Sequence, residues 1–183
     1  MSNNPQSPKN PKNEWFKLGK KSRNFLYFYL ALLLIISTAL SCLLIYYKLE
    51  LITLCNIEKV SILGCIIFAL LGSSIFYIRK LYKACINLDI VEPSSNEDHI
   101  RQIGVISYYT LRPIFSIGLG VLLFLSFKIG VSAMVKSPEL NDGFVYSCMF
   151  FSFFMGYSSG DVIDKLEKVG KSIVKKSFDS TDE

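Results

Sequence analysis

Acidic residues and histidine are scarce where catalytic or transport chemistry would need them. The single histidine, His99, cannot supply a bis-imidazole haem site or a histidine-rich metal site. The longest apolar stretches contain no Asp or Glu, which argues against a compact proton-coupled exporter that needs a membrane carboxylate. There is also no P-loop, no Ser-His-Asp set and no metal motif. The sequence therefore predicts a protein that is not an enzyme and binds no cofactor.

Cysteine pairs are missing too. The five cysteines lie at positions 42, 55, 65, 85 and 148, with no two close together in the sequence. This spacing predicts no disulfide framework. It also argues against a membrane thiol oxidoreductase, which needs two paired cysteines.

Apolar residues are abundant, at 51% of the chain, and most lie in four stretches that are nearly free of charge. A helix that rises ~1.5 Å per residue needs about 20 residues to cross the ~30 Å hydrocarbon core. We therefore predict an all-α protein with four transmembrane helices, at about 25–47, 60–78, 113–135 and 143–160. The first stretch is too long for a secretory signal core and lacks a small-x-small cleavage site.

Basic residues are distributed unevenly among the segments that flank these stretches. The segment before the first, the loop between the second and third, and the tail after the fourth contain 16 Lys and Arg residues, against three in the other two loops. The positive-inside rule then predicts cytoplasmic termini and a cytoplasmic middle loop. The net charge of +5 indicates topology and contact with a lipid bilayer, not nucleic-acid binding.

The predicted organisation has three parts. Residues 1–23 form a disordered basic N-terminus, 24–160 a four-span membrane domain, and 161–183 a cytoplasmic amphipathic helix and tail. The second span is predicted to continue as a basic helical extension into the cytoplasm. A short helix should follow, capped by Ser94 or Ser95 and ended at Arg112-Pro113. Ser158 and Asp161 have the spacing of a second capping box, at the end of the fourth span.

Small residues recur every four positions in two of the predicted spans, a spacing that lets helices approach closely in lipid. Packing within one bundle and an oligomer interface through the fourth span both explain it. A bundle this small has few interior positions, so we expect some self-association. The residues concerned are Cys65, Ala69 and Ser73 in the second span, and Cys148, Ser152, Gly156 and Gly160 in the fourth.

Lys128 is the only ionisable residue inside a predicted span. Intramembrane charge is a candidate for function, so Lys128 could line a pore or bind a lipid headgroup. Counting from Pro113 places it about 8 Å from the outer boundary, which a lysine side chain can largely cover by snorkelling.

Short motifs lie around the start of the third predicted span and the end of the fourth. They are Gly104, Tyr109 and Arg112-Pro113, then Gly156-Tyr157-Ser158 and Asp164-Lys165-Leu166. With these motifs, the chain from Ile103 onward resembles a module of uncharacterised bacterial membrane proteins. The resemblance covers about the last 80 residues and implies a bacterial inner-membrane location.

Three functions are compatible with these patterns. The first is a non-enzymatic membrane subunit that forms homo-oligomers and anchors or signals to a cytoplasmic protein partner. The second is a small pore-forming or membrane-disrupting effector, of an anti-phage or toxin-like kind, which Lys128 and the small-residue ladders suggest. A transporter is disfavoured by the small size and the missing intramembrane acids.

Overall fold

The computed structural model of the chain describes residues 18–87, 90, 95–134, 142–163, 165 and 169. No strand occurs among these residues, so the all-α prediction is confirmed. The predicted disordered N-terminus before residue 18 and most of the predicted C-terminal amphipathic helix lie outside the described residues. Four helices are present in the described part: α1 (Lys20–Tyr46), α2 (Lys48–Ile86), α3 (Asn96–Met134) and α4 (Asp142–Tyr157).

The helix α1 begins earlier than the predicted membrane domain. Its first residue is Lys20, so the predicted boundary between residues 23 and 24 falls inside the helix. Leu26, Leu30 and Leu44 are buried, while Phe28 and Ile35 on the same helix are largely exposed. A helix with one buried apolar side and one exposed apolar side suits a bundle that is surrounded by lipid.

The helix α2 starts immediately after α1, with Tyr47 as the connecting turn. The segment between the first two predicted spans is therefore largely helical. Asn56 interrupts it with φ 67° and ψ 148°, a positive φ that is uncommon for a residue other than glycine. The long apolar part of α2 follows this break and runs to Ile86.

The helix α3 has the predicted start but not the predicted end. The hydroxyl of Ser95 accepts a hydrogen bond from the Asp98 backbone N–H at 3.3 Å. Ser95 is thus the one of the two predicted capping residues that caps the helix. The prediction that the helix ends at Arg112-Pro113 was wrong, because α3 continues through Pro113 to Met134. Proline removes only one backbone hydrogen bond, and contacts with α2 on both sides of Pro113 hold the helix together.

The helix α4 is the shortest of the four, with 16 residues. Ser158 forms a turn after it, and its hydroxyl donates back to the Phe154 carbonyl at 2.7 Å instead of capping a new helix at Asp161. The Val162 N–H donates to the Ser158 carbonyl at 3.0 Å, so helical hydrogen bonding resumes directly after the turn.

In the described part of the chain, three helices are long and apolar enough to cross a membrane: Lys20–Tyr46, Asn56–Ile86 and Asp98–Ala133. These helices make the protein a helical multi-pass membrane protein. The continuous part of α4 is shorter than the ~20 residues that a perpendicular span requires.

The helix α2 is the centre of the bundle, and α4, α3 and α1 all pack against it. Three apolar clusters follow its length. One lies near the break at Asn56 and contains Leu44, Val60 and Val145. A second joins Cys65, Phe124 and Cys148. The third lies at the other end, where Tyr77, Leu81 and Tyr109 pack against Leu26 and Leu30 of α1 and against Leu18, which precedes α1.

Candidate functional site: the α2–α4 seam and two polar belts

The small residues of α2 and α4 meet inside one chain, in what we call the seam. A Cβ added to Gly156 would overlap the backbone of Ala69, which shows how closely the two helices approach. Cys65 lies beside Cys148 and Ser152, and all three are buried.

Gly160 continues the seam after the turn, where an added Cβ would lie 3.3 Å from the Tyr77 hydroxyl. Ser73 faces α3, and its Oγ lies 3.0 Å from Ser116 Oγ. The structure thus places all seven ladder residues against neighbouring helices of the same chain.

Glycines outside the two ladders extend the close packing. An added Cβ at Gly72 would overlap the Phe153 carbonyl of α4. At Gly120 of α3 it would lie 2.8 Å from the Cys65 carbonyl oxygen of α2. The central part of α2 is therefore covered by α4 and by α3 at near backbone contact, the geometry by which small residues stabilise helix pairs in lipid.

A group of cations and tyrosines lies toward the end of the bundle where α2 ends and α3 begins, but inside both helices, and we call it the inner belt. Arg79 donates to the Tyr157 hydroxyl at 2.8 Å, and Lys80 donates to the Tyr108 hydroxyl at 3.0 Å. Arg112 donates to the Gly160 carbonyl at 3.0 Å, and its guanidinium carbon lies 4.6 Å from the centre of the Tyr108 ring.

The aromatic rings of the inner belt contact one another edge to face. Tyr77 packs in this way against Tyr108 and Tyr109, with ring centres 6.0 Å apart in both pairs. Phe76 packs against Tyr157 with ring centres 5.4 Å apart. Such contacts give the belt a fixed arrangement, because each ring is held by a ring of a neighbouring helix or turn.

The inner belt is not visible in the sequence. Arg79 and Lys80 there predict a basic helical extension, and Arg112 predicts the end of a helix. Tyr108 and Tyr157 follow no spacing that links them to these cations, since the pairs are 28 and 78 residues apart. A useful signal was the presence of tyrosine and basic residues together at the predicted inner ends of three spans.

Lys128 forms an ion pair with Glu58 near the opposite end of the bundle, which we call the outer belt. The Nζ and Oε2 atoms are 3.0 Å apart, and the two side chains are 41% and 49% exposed. Glu58 and Arg79 are 21 residues apart on α2, which is about 30 Å of helix. The two belts are therefore separated by about the thickness of the hydrocarbon core.

Because its only described partner is Glu58, we expect Lys128→Met to have a small effect on stability. A half-exposed pair contributes little to stability, so the free energy of unfolding should change by less than about 1 kcal/mol. Thermal unfolding of the purified protein in detergent measures this, with Glu58→Gln as the matched change in the partner. If Lys128→Met instead abolished an ion conductance in reconstituted vesicles while assembly stayed normal, Lys128 would be a pore residue.

Among the described residues, no group of three or more His, Cys, Asp and Glu side chains is arranged to hold a metal ion. Cys65 and Cys148 are neighbours in space although they are far apart in sequence, and both are free thiols. No protein-family model, no curated protein and no solved structure matches this chain.

Proposed function

We propose that the protein is a non-enzymatic membrane subunit that self-associates and docks a cytoplasmic protein partner. In this proposal all four helices cross the bacterial inner membrane, and both termini and the hairpin formed by α2 and α3 are cytoplasmic. The observation that carries the proposal is the excess length of α2 and α3. Each extends past the inner belt on the same side of the bundle.

The extension is a packed structure, not a pair of loose helix ends. Tyr29 of α1 donates to the Thr110 carbonyl of α3 at 3.1 Å, and Tyr27 lies 3.3 Å from the Cys85 sulfur of α2. Gln102 of α3 also hydrogen-bonds Ser22 of α1. The Tyr29–Thr110 bond lies at the level of the inner belt. The contacts of Cys85 and Gln102 join α1 to α2 and α3 past the belt, which supports a preformed surface on the cytoplasmic side.

Large apolar side chains are exposed on this extension. Ile86, Ile100 and Ile103 are 71%, 73% and 64% exposed. On the membrane-spanning part such residues would face lipid, but these lie past the inner belt. Ile100 and Ile103 are one turn apart on α3, and apolar side chains grouped outside the bilayer are typical of a protein-binding surface.

The fourth crossing is supported by the length of helix between two acidic residues. Asp142 and Asp161 are 19 residues apart, so helical backbone joining them covers about 28 Å. Hydrogen bonds on both sides of the Ser158 turn keep this segment helical. Together with its continuation, α4 therefore matches the distance between the two belts.

Self-association would use surfaces other than the seam, because the seam is occupied within one chain. We place the contact on the outward aromatic side of α4, where Phe150 and Phe154 are exposed one turn apart. The pore function is the weaker alternative, since Lys128 already has a carboxylate partner.

Photo-crosslinking in cells tests both parts of the proposal. A photoreactive amino acid at Ile103 should form an adduct with one discrete non-membrane protein, and the acidic change Ile100→Asp should abolish that adduct. At Phe154 the adduct should have twice the mass of the chain. Ile129, which is 68% exposed near the outer belt, is the control and should crosslink to lipid alone. Equal protein adducts at Ile103 and Ile129, or none at Ile103, would contradict the docking function.

A further inference from the structure

The inner belt contains two cations whose hydrogen bonds go to tyrosine oxygens. Arg79 bonds Tyr157 and Lys80 bonds Tyr108, and the two cations are consecutive on α2. Within the described part of the chain, neither cation has a carboxylate partner, whereas Lys128 in the outer belt has Glu58. The positive charge of these two residues is therefore not neutralised by the described residues of the protein.

Each tyrosine in these pairs retains a hydrogen to donate. A phenolic oxygen that accepts from a cation still has its own O–H, so each pair presents N–H and O–H donors together. Hydrogen bonds from cationic donors to an anionic oxygen are the strong class of such bonds. The two pairs, which begin at consecutive residues of α2, therefore offer the kinds of donor that phosphate oxygens accept.

The position along the helix determines where that phosphate would lie. The inner belt is about 30 Å from the outer belt, so it lies at one face of the hydrocarbon core, next to the headgroup layer. Basic clusters at this depth attract anionic lipids. Tyrosine also favours this layer, since its ring is apolar and its hydroxyl is hydrated.

We propose that the Arg79–Tyr157 and Lys80–Tyr108 pairs form a binding site for the phosphate of an anionic phospholipid, in the leaflet next to the α2–α3 hairpin. Arg112 is a positioning residue for this site. It stacks on the Tyr108 ring and bonds the Gly160 carbonyl, so it holds the tyrosine of α3 beside the segment that follows α4. The site joins α2, α3 and the end of α4 through one headgroup.

Electron paramagnetic resonance of spin-labelled lipids tests the site on the full chain in bilayers. The wild-type protein should immobilise a larger fraction of spin-labelled phosphatidylglycerol than of spin-labelled phosphatidylcholine. Lys80→Gln should lower this selectivity about fivefold, the effect of one interfacial charge. Tyr108→Phe should also lower it although the charge is unchanged, and Lys80→Arg should preserve it.

Lys83→Gln is the matched control, because Lys83 is an exposed cation one turn away on the same helix. It should leave most of the selectivity intact. An equal loss in Lys83→Gln and Lys80→Gln, or unchanged selectivity in Tyr108→Phe, would show general surface attraction and overturn the site. Competition with inorganic phosphate at constant ionic strength separates the two sources of phosphate. Displacement of the labelled lipid by inorganic phosphate would overturn the lipid assignment, and no displacement is expected.

Discussion

Gly156→Leu should separate α4 from α2 and strongly destabilise the protein. The first carbon of any side chain at this position would overlap the Ala69 backbone, and a backbone cannot move aside as a flexible side chain can. The helices would have to part along the seam, which would expose the neighbouring buried contacts of Cys65 and Ser152. Overpacking typically costs about 1–3 kcal/mol, and backbone overlap places this variant at the upper end or beyond.

Thermal unfolding in detergent measures the effect, and the same substitution at a second glycine serves as the control. Gly118 lies in the middle of α3, and apart from the neighbouring backbone of α3 itself no described atom is within 4 Å of where its Cβ would be. Gly118→Leu introduces the same side chain into the same kind of helix and should unfold near the wild-type temperature. Ser147→Leu, at an exposed position of α4, should behave like Gly118→Leu.

Equal unfolding temperatures for Gly156→Leu and Gly118→Leu would contradict the seam. Light scattering on the same samples bears on the oligomer. If Gly156→Leu left the stability unchanged but converted an oligomer to a monomer, the ladder would join two chains and not two helices of one chain.

Three of the four predicted spans fall in described helices that are long and apolar enough to cross a membrane, because absence of charge over about 20 residues is a strong physical constraint on a membrane helix. The small residues of the ladders were also visible in the sequence. Their partners were not, since spacing along one helix shows which residues share a side but not which helix covers it. Gly156 and Ala69 are 87 residues apart, and no local pattern links them.

Other features depended on contacts between distant residues. Pro113 predicted a helix end, but contacts of Tyr108 and Ser116 with α2 keep α3 continuous. The sequence predicts Lys128 inside a span, whereas its partner Glu58, 70 residues earlier, lies just outside the predicted second span and has no pattern that links it to Lys128. Local propensity was overruled by packing in the first case, and the second required knowledge of how α2 and α3 align.

In the proposed topology, α4 crosses the membrane as α1, α2 and α3 do, so that the chain after α4 is on the same side as the α2–α3 hairpin. Single cysteines at three exposed positions test it in a chain whose native cysteines are replaced: Ser95 before α3, Gly143 at the start of α4, and Lys165 after it. A membrane-impermeant maleimide is added to intact cells and, in parallel, to permeabilised cells.

We expect the cysteine at position 143 to be labelled in intact cells, and those at 95 and 165 to be labelled only after permeabilisation. Labelling at a position across the bilayer is all-or-none, so the contrast should be complete. Labelling of 143 and 165 together in intact cells would show that α4 does not cross, and labelling of 95 from outside would contradict the orientation of the whole bundle.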